Sequence, residues 1–451
     1  MAYFDPNFHS LEEYTVSPPK VCVDNDTYGD HTLVKIINPH VLQILKYSLT
    51  IILQVHGANR RGILVDIVQA LTDLDLIISK SNISADGEWM MNAFHVTDEL
   101  GNKMTDPAHI RYVEQSLMFA ERRGGERRRP PDEVRTCLNN LLGAGHLSSE
   151  HTVLEMTVTD HPGLLSEVLA TLLNFSFQVN SAVAWAHNGR AGFIFYGPMS
   201  PAPTGLTELK VQLKRVVEAH CLRGIEKWQL EISGPLPDRV HSAERRLHQI
   251  MQEDNDWEGM ASRTDLPLPS ETVVTAVEMK RSVNYNEKNN YMVEVTVRSR
   301  DRPKLVFDVV CTLADLNYEV VHGSVSTEET IAVQEYYIKK RDGWSRVTEM
   351  EKGKLVECLM AAIERRPGPW WMRVEVRVLE YRDSLLWEIT RVVRENGMLV
   401  VGAKWDKMGE LAAGIFYVKG GSSSGNVARR LIQSLRNEIG GCDFEIKESN
   451  N

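Results

Sequence analysis

One pattern recurs four times along the 451 residues, and it limits the fold more than any other feature of the sequence. In its clearest copy, His151 to Tyr196, Val153, Met156 and Val158 stand among threonines in a β-rich run. Asp160-His161-Pro162-Gly163 interrupts that run. Leu164, Leu165, Val168, Leu169 and Leu172 follow at helical spacing, with Pro and Gly where a helix begins. Phe177 and Val179 open a second β-rich run, Asn188-Gly189 turns it, and Phe193 and Phe195 lie on the return; Asn-Gly between β-rich runs predicts a hairpin. The order is strand, elbow, helix, hairpin.

The same order appears around three other elbows. Asn59-Arg60-Arg61-Gly62 precedes Ile63, Leu64, Ile67, Val68 and Leu71, with a turn at Asp86-Gly87. Asp301-Arg302-Pro303-Lys304 precedes Leu305, Val306, Val309, Val310 and Leu313, with a turn near Glu329-Thr330. Tyr381-Arg382-Asp383-Ser384 precedes Leu385, Leu386, Ile389, Val392 and Val393, turning near Gly409. From the fourth elbow residue to the hairpin turn is 25 or 26 residues in every copy. A fixed spacing held four times, together with matching apolar periodicity, marks a tandem repeat.

Four blocks carry a family likeness: NRRGILVDIVQALTDLDLIISKSNIS, DHPGLLSEVLATLLNFSFQVNSAVAWAHNGRAGFIFY, SRDRPKLVFDVVCTLADLNYEVVHGSVS and LLWEITRVVRENGMLVVGAKW. On these the chain resembles the ACT-domain-repeat proteins of plants, which carry four ACT domains and little else. The resemblance implies an α+β fold of four ferredoxin-like βαββαβ domains packed in side-by-side pairs. It also implies amino-acid binding as the activity. The ACT pairs are more distantly similar to the tail of bacterial uridylyltransferases.

Composition sets the remaining limits. The chain is 43% apolar and 25% charged, as soluble globular proteins are, and long enough for two to four cores. A net charge of -10 argues against general nucleic-acid binding, which needs a basic surface. Cys22, Cys137, Cys221, Cys311, Cys358 and Cys442 form no C-x-x-C pair or metal spacing. With no signal peptide at MAYFDPNFHSLEEY they read as reduced thiols of a cytoplasmic or nuclear protein.

In chain order, residues 1–30 form an arm containing Pro18-Pro19 in which Lys20–Asp24 could add a strand. The first domain spans 31–121 and has two candidate first strands, His31–Ile36 and Thr50–Val55. Removing Ile36–Gln54 restores the spacing of the second copy, so 36–54 reads as an insertion, such as an unspliced segment would leave. Val41–Val55 is apolar, but it falls short of the roughly 20 residues of a membrane span and contains Lys46. Asp106–Glu121 should be the second helix. A basic linker covers 122–149, where RRGGERRR reads as a solvated charge run before a nuclear-targeting patch. Domain two spans 150–233. A linker, 234–289, holds a charged helix (Asp238–Glu253) and the strand-like Glu271–Met279. Domains three and four span 290–366 and 370–448, and Trp370, Trp371 and Trp405 read as core or interface aromatics.

The elbows are the candidate sites. Glycine lets a backbone approach a ligand, and the free N–H groups at a helix start can receive a carboxylate. An adjacent Asp or Asn either accepts from the ligand's ammonium or caps the helix. Copies one and two have this equipment in Asn59, Arg61, Gly62 and Ile63, and in Asp160, Pro162, Gly163 and Leu164. Copy three keeps Asp301 but carries Lys304, a charge for an anion or a plug, and copy four carries Tyr381 and Ser384. No P-loop, zincin or nucleotidyltransferase motif occurs, and no His-Asp dipeptide; Gly421-Ser422-Ser423-Ser424-Gly425 has the letters of a nucleophile elbow but reads as a flexible glycine-serine hairpin exit. The expectation is a regulatory protein with no catalytic residues, metal or cofactor. It would bind an amino acid at the seams between domains and be read by a protein partner, with homo-oligomerisation left open and no nucleic-acid or membrane partner. The alternative is an ACT-based interaction scaffold that binds no ligand.

Overall fold

A computed structural model describes residues 20–24, 32–37, 57–58, 62–86, 89–98, 101–103, 113, 152–198, 203–219, 228–233, 243–260, 276–284, 291–343, 345–367, 371–408, 411–420 and 425–447. The expected second helix of the first copy (apart from Val113) and the charge run at 122–129 lie outside these residues. Unit one contains β1 (Lys20–Asp24), β2 (Thr32–Ile37), β3 (Gly57–Ala58), α1 (Ile63–Asp73), β4 (Ile77–Asp86) and β5 (Trp89–Thr97). Unit two contains β6 (Thr152–Thr159), α2 (Leu164–Asn174), β7 (Ser181–His187), β8 (Arg190–Gly197), α3 (Pro203–Ala219) and β9 (Gln229–Ser233). A connector helix, α4 (Ala243–Glu253), leads to unit three: β10 (Ala276–Asn284), β11 (Tyr291–Arg300), α5 (Leu305–Asp315), β12 (Tyr318–Glu328), β13 (Ile331–Lys340) and α6 (Glu349–Arg365). Unit four contains β14 (Met372–Val378), α7 (Leu385–Glu395), β15 (Leu399–Met408), β16 (Leu411–Lys419), α8 (Gly425–Glu438) and β17 (Cys442–Lys447).

The fold is α+β, with four tandem ferredoxin-like units in side-by-side pairs. The pairing alternates along the chain. One antiparallel sheet runs β1-β2-β5-β4-β12-β13-β11-β10, with β3 also beside β5, and joins units one and three at β4·β12. The other runs β17-β14-β16-β15-β7-β8-β6-β9 and joins units two and four at β7·β15. The fourth, edge strand of each unit lies beside its first. In units two and four it comes after the second helix, as β9 and β17. In units one and three it precedes the first strand, as β1 and β10, so the strand-like segment near Met279 is an edge of the third unit's sheet.

Local rules explain each repeat. Val168, Leu169 and Leu172 fall on the buried face of α2, as the helical spacing requires. Beyond each first helix the second residue turns left-handed (Asp75, Ser176, Asn317 and Gly397, φ 54 to 72°), which ends the helix and sends the chain into the next strand. Asn188 and Gly189 both take positive φ, the geometry of a two-residue hairpin turn. Within each pair the core is shared: Val68 and Leu71 of α1 lie in one cluster with Val309, Val310 and Leu313 of α5. Leu169 and Leu172 of α2 share a second with Ile389 and Val393 of α7 and with fully buried Trp405.

The first strand of unit one is split. Lys35 lies opposite Ala93 and Gly57 opposite Met90, so Ile36, Ile37, Gly57 and Ala58 occupy successive positions along β5. The gap is 38–56, the same length as the expected insertion and two residues further along; those residues lie outside the described ones.

Helix α4 ties the pairs together. Leu247, Ile250 and Met251 pack on Val153, Val183, Trp185, Ile194 and Tyr196, the face of the second sheet opposite its helices. Gly192 makes the approach possible, since a Cβ there would come within 2.8 Å of Leu247 and Met251 side-chain atoms.

Candidate functional site

Each elbow is built by its own strand and helix, but its far wall comes from the partner unit across the seam. Three of the four fourth residues are left-handed: Gly62 (φ 81°), Gly163 (φ 87°) and Lys304 (φ 66°). Ser384 is right-handed instead (φ -77°). Among the described residues none of these four helix starts has a side-chain cap, whereas α6 has a full capping box between Thr348 and Glu351. The capping role open to the elbow aspartates is therefore not used. Instead the N–H of Asp160 donates to the Gly189 carbonyl (2.9 Å) and that of Asp301 to Thr330 (2.8 Å), tying each elbow to its own hairpin turn. Residue Asp160 is solvent-exposed overall, yet burial of its carboxyl pushes it up to about 6, against a hydrogen bond from the His161 backbone. Burial likewise raises the Asp301 carboxyl, which accepts from Thr327 Oγ1 at 3.1 Å.

The four elbows differ in what fills them. Gly62 opens on a cavity of about 250 Å³ whose far side is the end of α5 and the start of β12, from Leu313 to Val321. A Cβ added at Gly62 would meet no described residue within 4 Å. Ile63 is buried in its near wall, while Asn59 and Arg61 lie outside the described residues. The Gly163 elbow faces the matching parts of α7 and β15, but its cavity is only about 30 Å³, room for one or two waters. Asp160, Gly163 and Leu164 line it, and Pro162 is exposed nearby. Arg394 makes the difference. Its Cδ would lie 2.5 Å from a Cβ on Gly163. Arg394 is the tenth residue of α7, and the tenth residue of α5 is Ala314, which lines the open cavity.

The other two elbows are occupied by this chain's own side chains. Lys304 Nζ reaches Glu244 of the connector helix at 2.9 Å and Asp75 beyond α1 at 3.9 Å, so it meets an anion supplied from within. At Ser384 the hydroxyl donates to Glu388 Oε1 (2.5 Å), Arg382 pairs with the same carboxylate, and Gln178 donates to Asp383 across the seam (3.1 Å). Lys407 lies 3.7 Å over the Tyr381 ring.

Residues 46–124 match the ACR family N-terminal ACT domain. The ACT domain-containing proteins ACR1 and ACR3 of Arabidopsis thaliana are each 37% identical to this chain over 97% of its length, covering 88% and 89% of theirs. The chain belongs to the ACR family of ACT domain-containing proteins. A bifunctional uridylyltransferase/uridylyl-removing enzyme of Azospirillum brasilense is 31% identical over 23% of this chain and 9% of that enzyme.

This ACR chain also carries a buried charge network where its pairs meet, which sequence reasoning missed. Asp308 of α5 accepts from Arg366 (2.7 and 3.0 Å) and His248 Nε2 (2.8 Å) and is paired with Arg302 (2.7 Å). Burial pushes the Asp308 carboxyl up, but the Arg366 and Arg302 guanidiniums and His248 outweigh it and hold the group well below the usual range. Arg365 forms a two-point pair with Asp256 (2.6 Å each), and both side chains are fully buried. Arg365 also lies 3.1 Å from His248 Nδ1; because arginine only donates, Nδ1 accepts and Nε2 carries the proton to Asp308. Burial lowers the His248 imidazole, keeping it neutral. No single segment shows these groups together, since they come from α4 and its exit, the α5 elbow and the end of α6. Among the described residues no cluster of His, Cys, Asp and Glu could hold a metal ion, and no helix is long and apolar enough to cross a membrane.

Proposed function

We propose that this protein is a non-catalytic regulator that binds an amino acid at the seam of units one and three, beside Gly62. The observation that carries the reading is the open elbow: a left-handed glycine, an uncapped helix start and about 250 Å³ of space against the partner unit. A carboxylate docked at those N–H groups gains the favourable end of the helix dipole. Because the far wall belongs to unit three, a bound ligand adds contacts across the seam. It favours the closed arrangement of the pair over any looser one, and a protein partner can read that shift. Isothermal titration of the full chain with each of the twenty amino acids tests this. Saturable heat from at least one is expected; silence from all twenty refutes it.

The other reading, a scaffold without ligand, draws its support from the remaining elbows. Arg394, Glu244 and the Arg382–Glu388 pair fill them, so the seam of units two and four and the Lys304 corner serve assembly. The titration above separates the two readings, and once heat is seen a Gly163→Ala, Asp160→Ala double variant tells which elbow binds. It should leave ligand heat unchanged if the Gly62 cavity is the site, and remove it if the second elbow is.

A further inference from the structure

Resting on the amino-acid reading above, we infer that the Gly62 cavity selects amino acids with an apolar side chain, of the leucine, methionine or phenylalanine type, over glutamine, glutamate or lysine. Its described walls carry hydrocarbon from both units beside their polar groups: Ile63 and Ile83 on one side, Val310, Leu313 and Val320 on the other. The one amide among the described lining residues, Asn92, already takes part in an interaction and leaves one buried acceptor, Oδ1. A polar ligand tail would therefore give up the water on several polar atoms for at most one acceptor, which weakens binding by roughly tenfold or more.

Among the described lining residues, charge is confined to β12, β13 and the residue after β13, and it has both signs. Glu319, on β12, stands 3.8 Å from Lys339 on β13, and Arg341 lies beside them. Two of the Arg341 nitrogens are used, donating to Asn317 Oδ1 (3.2 Å) and the Ala314 carbonyl (3.3 Å). Its Nε is buried with no acceptor among the described residues. That charged rim suits a zwitterion: the Glu319 carboxylate receives the ammonium, and the α1 start receives the carboxylate within the positive field of Arg341. The other seam cannot offer this, because the position matching Glu319 is Leu399 and that matching Ala314 is Arg394.

Titration of the full chain with leucine, methionine, phenylalanine, glutamine, glutamate and lysine separates the claims. The three apolar ligands should bind at least about tenfold more tightly than the three polar ones. Glutamine or glutamate binding as tightly as leucine overturns this inference while leaving the amino-acid reading intact; no binding by any of the twenty overturns both. Two variants locate the site. Ala314→Arg, which copies the side chain found at the matching place in the other seam, should abolish leucine binding. Glu319→Gln should weaken leucine at least about tenfold but leave its des-amino analogue, 4-methylpentanoate, within about twofold. Unchanged leucine affinity in folded Ala314→Arg, or in Glu319→Gln should the first variant not fold, places the ligand elsewhere and refutes the assignment.

Discussion

Replacing Asp308 with Asn keeps the shape of the side chain and removes the charge on which the junction between the two pairs is balanced. The cost follows from what each partner has left. Arg366 retains Glu244 (3.0 Å) and His248 retains an amide oxygen to receive its Nε2–H, so neither is stranded. Arg302 is left with carbonyls only, from Ile363 (2.7 Å) and Pro303 (3.1 Å), and no other carboxylate is paired with it among the described residues. Breaking a buried ion pair costs about 3–5 kcal/mol; one stranded guanidinium out of three cations places this variant near the lower end, at about 3 kcal/mol. With a urea slope of about 2 kcal/mol per molar, the transition involving unit three should move down by about 1.5 M. Hydrogen exchange supplies the local reading: amides of α4 (Ala243–Glu253) should lose protection by about a hundredfold or more, because α4 is anchored in this junction through Glu244 and His248 and opens with it at the lower cost. A midpoint within about 0.3 M of the parent, with α4 protection unchanged, would show that the network's charges do not support the junction.

Three further outcomes are expected. Arg394→Ala removes only an exposed 3.5 Å pair with Glu167, worth under about 1 kcal/mol, and uncovers the Gly163 elbow; because Leu399 stands at the Glu319 position, titration with 4-methylpentanoate, which needs no ammonium partner, should then show two sites per chain, and a single site refutes Arg394 as the block. Deleting residues 38–56 joins Ile37 to Gly57 in the register already present along β5, so the shortened chain should be more stable by up to about 2–3 kcal/mol of loop-closure entropy; a lower melting temperature would show that the segment carries packing of its own. The third concerns pH. Asp308, Asp256 and Glu244 have depressed carboxyls, so their contribution is complete above about pH 4 and is lost as the pH falls further. His248, depressed by burial, extends that loss upward to about pH 6.5. His187 opposes it. Burial lowers this imidazole, but Asp256 and Glu364 raise it overall against Arg365, so its contribution is complete below about pH 6.5 and is lost as the pH rises through its folded value. His187→Asn should therefore steepen the fall in stability between pH 7 and pH 5 measured by urea unfolding, and an unchanged slope refutes the assignment.

What could be read beforehand, and what could not, divides along the seams. Apolar periodicity in Leu164–Leu172 and its three counterparts, Asn188-Gly189, and the constant elbow-to-turn spacing are local signals, and local rules convert them into strand, helix and hairpin. The α+β repeat follows from them together with the family likeness. Nothing local says that unit one pairs with unit three: β4 and β12 are separated by more than two hundred residues, and either pairing would cover the same edges. That alternation decides the site. The elbow glycines Gly62 and Gly163 look equivalent in sequence because each elbow encodes only its own half, and the half that opens one and closes the other is Ala314 against Arg394, on helices of other units. The same separation hides the Lys304 partner, since Glu244 lies on a helix that reads as linker. A repeat protein of this kind can thus change which of its sites is open by substituting a residue in a different copy from the one that carries the binding motif. In the proposed reading the elbow glycine leaves the space, and the tenth residue of the facing helix decides whether that space stays open.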